Sequence, residues 1–330
     1  MASATRLENE RVVVPTFERS IWQRIATAFD DGSGYLFILP MLIIYTLFSV
    51  WPILRGLVMA FMDYDWIYRD AAHFNGIDNY VEIASDTMFW HTLGRSMYFV
   101  LLFVPISIIL PLIVASLIAS IKNPATSGFF RVVLYFPVIL PIAVAMLLWR
   151  HAFNGSFGWI NVILTQAFGF TRAQLPGWLS DPMLTMPVTA FATIWKNFGQ
   201  NVLFFLIGLY SINPELYEAA ALDGAGAIQR WRYITIPQLK PVFVIVFILS
   251  SKFIGVTQEP LIMWGDPHNP GGGPADAAYT LGLYAYNVAF RFGDLRWGYA
   301  AALSLVAGVI GMIVAGIIFI TLRSKEEEVV

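Results

Sequence analysis

Six apolar stretches decide what this chain can fold into: Tyr35–Met62, interrupted only by Arg55; Ser96–Ile121; Phe129–Leu148; Val188–Ile212; Pro241–Trp264; and Gly298–Leu322. Each is long enough to cross a bilayer as a helix, which takes about 20 apolar residues. None alternates with period two, so helices are expected rather than barrel strands. Prolines lie inside them (Pro40, Pro52, Pro105, Pro111, Pro137, Pro141). In lipid they do not forbid a helix, because neighbours can satisfy the carbonyls they free. Composition agrees: 58% of residues are hydrophobic and 13% charged, against about 45–50% and about 25% in soluble domains. So little charge cannot coat a soluble globule of 330 residues. The balance of 20 Lys+Arg against 22 Asp+Glu leaves no basic footprint for nucleic acid. The absence of cysteine excludes disulfides, zinc–thiolate sites and thiol nucleophiles. An all-α, multi-pass membrane protein of six transmembrane helices is therefore expected.

An even number of spans puts both termini on one side. Eleven Lys and Arg fall in the segments that would share that side, including Arg6, Arg11, Arg19 and Arg24 ahead of the first span. Six fall on the other side and three within spans. The positive-inside rule then makes both termini cytoplasmic. The polar stretch before the first span is too long to be the start of a secretory signal. Within it, Phe17, Ile21, Ile25 and Phe29 recur every four residues beside Trp22, the pattern of a short amphipathic helix on the membrane surface. The expected organisation is a tail over 1–34, a six-helix domain over 35–322 and a tail over 323–330.

Motifs of autonomous chemistry are missing. No lysine follows a glycine, so there is no phosphate-binding P-loop, and no His-Glu-x-x-His or Gly-x-Ser-x-Gly occurs. The chain is expected to be no enzyme and to hold no cofactor or metal of its own.

The connection at 213–241 is unusual. Asn213 can cap a helix that starts at Pro214, and Glu215 suits its first turn. Glu218-Ala219-Ala220-Ala221-Leu222 are strong helix formers. Gly224 and Gly226 then break that helix. A second short helix through Trp231-Arg232-Tyr233 is expected to end before Pro237. A mere tether would not need a rigid helix–turn–helix, so the segment reads as a docking element for another protein.

Here the chain resembles a family. Glu218-Ala219-Ala220, Asp223-Gly224-Ala225, Ile234, Pro237 and Pro241 look like the EAA loop of binding-protein-dependent ABC importer permeases. Phe74-Asn75-Gly76-Ile77-Asp78-Asn79-Tyr80 after the first span, and Gly272-Gly273-Pro274 with Gly298-Tyr299-Ala300-Ala301-Ala302 near the end, resemble the carbohydrate-uptake branch, of maltose and sn-glycerol-3-phosphate permease type. The likeness covers roughly 35–322. It implies the type I ABC importer permease fold, in a prokaryotic inner membrane. It also implies a second permease subunit, usually a different chain in this branch, two cytoplasmic ATPase subunits that bind the ATP and Mg, and an extracytoplasmic substrate-binding protein. The implied cargo is a sugar or oligosaccharide. Glu218 would anchor the loop in a cleft of the ATPase, and Gly224 would permit its turn. One departure stands out: where the branch often has Phe-Asp late in the fifth span, this chain has Gln258-Glu259-Pro260.

Polar groups inside a span usually face a cavity or a partner. Lys196, Asn197, Gln200 and Asn201 share about 140° of one helix face, and Lys252, Gln258 and Glu259 lie in the fifth span. All seven are candidate pathway residues. The alternatives are that Lys196 or Lys252 pairs with Glu259, or that these groups bond the partner permease. Ser304, Ala307, Gly308, Gly311 and Ala315 give the sixth span a small-residue face suited to close helix packing. A rival reading is a secondary, ion-coupled transporter built on Lys196, Lys252 and Glu259. That class predicts inverted repeats, and none is evident between the two halves.

Overall fold

The structure, a computed structural model, describes residues 38–256, 258–265, 272–293 and 295–323. The expected amphipathic helix at Phe17–Phe29 lies outside them, as does the C-terminal tail beyond Arg323. The chain divides into two compact units, Met1–Arg55 and Gly56–Val330.

The first unit holds most of the apolar helix α1 (Ile38–Met59). A π turn at Thr46–Val50 widens this helix, and the Trp51 N–H bonds the Thr46 carbonyl five residues back. Pro52 follows at once. A proline ring clashes with the carbonyl four residues before it, and the wider turn relieves the clash.

The second unit opens with a short ladder, β1 (Met62–Asp63) against β2 (His73–Phe74), in register Met62↔Phe74 and Asp63↔His73. With an isolated antiparallel bridge between Asp65 and Arg296, it is the β structure among the described residues. Asn79 ties it down, donating Nδ2 to the carbonyls of Ala60 (3.1 Å) and Met62 (3.0 Å). Then come α2 (Asp78–Ser85), α3 (Thr87–Ala119), α4 (Pro124–Ile139), α5 (Ile142–Ala152), α6 (Trp159–Phe168) and α7 (Pro182–Ser211). The pair α8 (Pro214–Leu222) and α9 (Ala227–Gln238) precedes α10 (Lys240–Ser251), α11 (Gln258–Trp264), α12 (Leu281–Phe290) and α13 (Trp297–Arg323).

Two expected spans are not continuous. The third breaks into α4 and α5, which meet at 97°. Pro141 explains this: it forces Leu140 out of helical conformation, to φ −65° and ψ 137°. The fifth is interrupted by a tight 3₁₀ turn over Lys252–Gly255 before α11 begins. By length and composition, α1, α3 and the segment Trp297–Ile317 are each able to cross a membrane. Up to five elements qualify if each of two bent pairs, α4 with α5 and α9 with α10, counts as one span. The 30 residues of α7 cover about 45 Å at 1.5 Å per residue, but its polar residues dilute its apolar character.

The long helices α3 and α7 pack together through Phe99, Phe103 and Val104 against Met186 and Ala190. A second cluster joins α12 and α13 to Ile83 and Phe89. Beside it, Asp86 caps α3 through the Met88 N–H and accepts from the hydroxyls of Tyr284 (2.6 Å) and Tyr299 (2.9 Å). Burial alone would raise the Asp86 pKa, but these hydrogen bonds and the Phe89 N–H outweigh it and hold the carboxyl below its usual range. Nearby, Arg296 grips Glu82 with both guanidinium nitrogens at 2.6 Å and lies over the Tyr299 ring.

Candidate functional site

The 213–241 connection folds into the expected helix pair. Asn213 accepts the Glu215 N–H at 3.1 Å, and Pro214 opens α8. The helix ends in a Schellman motif: the Ala225 N–H reaches the Ala220 carbonyl (2.9 Å) and the Gly224 N–H the Ala221 carbonyl (3.1 Å). Gly224 sits at φ +82°, the left-handed region where glycine carries no Cβ penalty. Gln229 Oε1 then accepts the Gly226 N–H at 2.7 Å and starts α9.

Contrary to the sequence expectation, α9 does not end before Pro237. A π turn over Trp231–Thr235 precedes that proline, with the Ile236 N–H bonded to the Trp231 carbonyl, and the helix runs on to Gln238. This is the device already seen ahead of Pro52.

The pair has two faces. The inner one anchors it: the Tyr217 hydroxyl hydrogen-bonds Thr235 Oγ1 (2.9 Å), Trp231 Nε1 donates to Ser116 Oγ (3.3 Å), and Tyr217, Trp231 and Ile234 pack on a core of Ile118, Phe205, Ile212 and Leu239. Ile234, expected at the docking surface, is thus partly buried under it. Sequence reading missed Tyr217, Trp231 and Thr235, although these aromatic and hydroxyl residues flank the motif.

The outer face presents Glu218, Ala219, Asp223, Gly224 and Pro237, with Ala220 and Ala225 half-buried behind them. The carboxylates of Glu218 and Asp223 have no hydrogen-bond or ion-pair partner among the described residues. Around them Leu222 is 90% exposed, Ile228 81% and Tyr233 71%. Large apolar side chains exposed together outside the spans mark a protein contact.

The seven pathway candidates separate. On α7, Thr185, Thr189, Thr193 and Asn197 form a ladder at four-residue spacing, each bonding the carbonyl one turn back at 2.7–3.2 Å. Trp264 Nε1 of α11 donates to Thr189 Oγ1 at 2.8 Å. Gln200 is half-buried and makes no hydrogen bond among the described residues. Asn201 is buried and donates to the Ser107 carbonyl of α3 (2.9 Å), while Lys196 Nζ donates to the Val138 carbonyl of α4 (2.9 Å). Glu259 is 7% exposed and lies within electrostatic range of Lys252 and Lys196. Gln258 is exposed. Lys252 lines a groove of about 730 Å³, walled by Tyr286 of α12 and by Ser304, Ala307, Gly308 and Gly311 of α13. Among the described residues no cluster of His, Asp and Glu could hold a metal ion.

No family model matches the chain. Relatives do. It is 32% identical over 304 residues to the lactose transport system permease protein LacF of Rhizobium radiobacter, covering 90% of this chain and 96% of the relative. It is 30% identical over 323 residues to the sulfoquinovosyl glycerol transport system permease protein SmoG of Agrobacterium fabrum, covering 96% and 99%. Among solved structures, a bacterial ABC transporter that imports the acidic polysaccharide alginate superimposes with a TM-score of 0.74 at 22% identity, over 91% of this chain and 99% of that one. That likeness carries the fold. The sequence relatives carry the family: the chain belongs to the permeases of sugar ABC transporters, of the carbohydrate-uptake branch, and is a multi-pass protein of the prokaryotic inner membrane.

Proposed function

We propose that this chain is the membrane path of a sugar or oligosaccharide importer, and that ATP hydrolysis on two separate cytoplasmic ATPase subunits drives it through the α8–α9 pair. ATP and Mg belong to those subunits, and this chain needs no cofactor. Six spans with both termini in the cytoplasm put the pair on the ATPase side. A second permease subunit completes the path, and the small-residue wall of α13 suits close packing against it. An extracytoplasmic binding protein delivers the substrate. A related alginate transporter has been seen in complex with a pentasaccharide-bound periplasmic protein.

The observation that carries this reading is the two-faced helix pair. It is pinned to the bundle on one side and exposes Glu218, Leu222, Asp223 and Ile228 on the other. A rigid element with an unpaired polar and apolar surface transmits motion only when a partner covers it. Along the path, Asn197, Gln200, Lys252, Gln258 and Glu259 supply hydrogen-bonding and charged groups for a hydroxyl-rich cargo.

Gly224→Asp tests the coupling. Nothing lies within 4 Å of a Cβ built at this position, and Asp tolerates left-handed backbone better than most residues. The variant strains the turn at φ +82° by roughly 1–2 kcal/mol without a clash, leaves the helix bundle folded, and places a further negative charge on the outer face. ATP-dependent uptake in proteoliposomes is expected to fall to background. Normal uptake by the variant, or uptake by the lone chain in ATP-free vesicles, would refute the proposal.

A further inference from the structure

Two of the polar residues inside α7 have partners that reveal a different task. Helix α3 continues through Pro111 to Ala119. In an α-helix the Ser107 carbonyl accepts from residue 111, but proline has no N–H to give. That orphaned carbonyl is the one that Asn201 Nδ2 reaches at 2.9 Å. Helix α4 stops at Ile139, and the helical partner of its Val138 carbonyl would be Ile142, across the 97° break at Pro141. That carbonyl is the one that Lys196 Nζ reaches at 2.9 Å. Between the two donors, Gly199 presses its Cα against the Leu134 carbonyl, so closely that a Cβ there would sit 2.1 Å from the oxygen. The compensation is selective. Pro105 and Pro137 free the carbonyls of Leu101 and Val133, residues with exposed side chains. No side chain among the described residues donates to either.

We propose that Asn201 and Lys196 are positioning residues, which replace the backbone donors lost at Pro111 and at the Pro141 break and so lock α7 in register with α3 and α4. Three helices then move as one body during transport, and the path is lined by the neighbouring α7 groups Asn197 and Gln200. A buried carbonyl left without a donor is costly, more so in lipid, where no water replaces it. The donors therefore have to come from a helix that does not slide past the kinks.

The test is a double-variant cycle on the full chain with its native partner subunits. Asn201→Leu removes the donor. Pro111→Ala restores the N–H within α3, so the Ser107 carbonyl no longer needs Asn201. Asn201→Leu alone is expected to lower the melting temperature by about 2–8 °C and to reduce uptake. In the Pro111→Ala background the same change is expected to lower melting by less than half as much, with uptake recovering to that of Pro111→Ala. If Pro111→Ala does not accumulate, Pro111→Leu supplies the same N–H with a fuller side chain. An equal loss of melting temperature in both backgrounds would overturn the proposal. So would a double variant that melts like Pro111→Ala but imports nothing, because that result makes Asn201 a substrate contact.

Discussion

Replacing Gly199 by alanine probes the tightest contact in the helix framework. The new Cβ would lie 2.1 Å from the Leu134 oxygen, 2.6 Å from its carbon and 2.7 Å from the Tyr135 Cα. All three are backbone atoms of α4, so no side chain can rotate away. Carbon and oxygen rest at about 3.3 Å or more, and relief requires α4 and α7 to separate by roughly 1 Å. The flanking bond from Lys196 to the Val138 carbonyl of α4, 2.9 Å now, would be drawn beyond useful range. Overpacking of this kind costs about 1–3 kcal/mol, and the strained interhelical hydrogen bond in lipid adds roughly 0.6 kcal/mol. A total of about 2–4 kcal/mol corresponds to roughly 4–12 °C of melting temperature. Gly94→Ala, in the exposed interior of α3 with nothing within 4 Å, is the control. It should be neutral or stabilising, by up to about 1 kcal/mol of helix propensity. Thermal melting of the purified full chain in lipid nanodiscs reads both variants. A Gly199→Ala protein that melts with the control would refute the close approach of α4 and α7.

Two further outcomes follow from the region around Asp86. Its folded pKa lies below the ordinary carboxylate value, so its stabilising effect is complete above the unfolded pKa, about 3.9, and disappears as pH falls through the folded value; melting between pH 3 and 6 should show this acid loss in wild type and a flatter profile in Asp86→Asn. The Glu82–Arg296 pair is bidentate but partly exposed, so Glu82→Gln should cost no more than about 1 kcal/mol, and high salt should shrink the difference from wild type.

Much of the fold was legible in sequence, because lipid makes long apolar runs and period-3.6 helices nearly obligatory. The α8–α9 pair was equally legible, since Asn213, Pro214, Gly224 and Gly226 are local signals acting within a few residues. The limits came from prolines and from distance. Pro137 and Pro141 stand close together, yet α4 runs through the first and breaks sharply at the second, a choice made by packing partners far away in the chain. Pro52 and Pro237 are absorbed by π turns, which no spacing rule anticipates. The polar residues of α7 are legible as a stripe, but residue type alone cannot say that Asn201 and Lys196 donate to carbonyls of other helices. Those partners, Ser107 and Val138, are 94 and 58 residues away. Similarly, Ile234 matches the motif yet serves the inner face, because the anchoring role of Tyr217 and Trp231 depends on the core beneath them.

The central claim is that the outer face of α8 meets an ATPase subunit, and the absence of cysteine permits a direct measurement. Leu222→Cys places a single thiol at a highly exposed point of the pair, 90% accessible in the isolated chain. The assembled transporter is treated with a short thiol-to-amine cross-linker in native membranes, and adducts are identified by mass spectrometry. A covalent adduct between position 222 and the ATPase subunit, absent from a Met183→Cys control at the exposed start of α7, is the expected result. A transporter that imports its sugar with ATP yet yields no such adduct from position 222 would contradict the coupling surface assigned to α8 and α9.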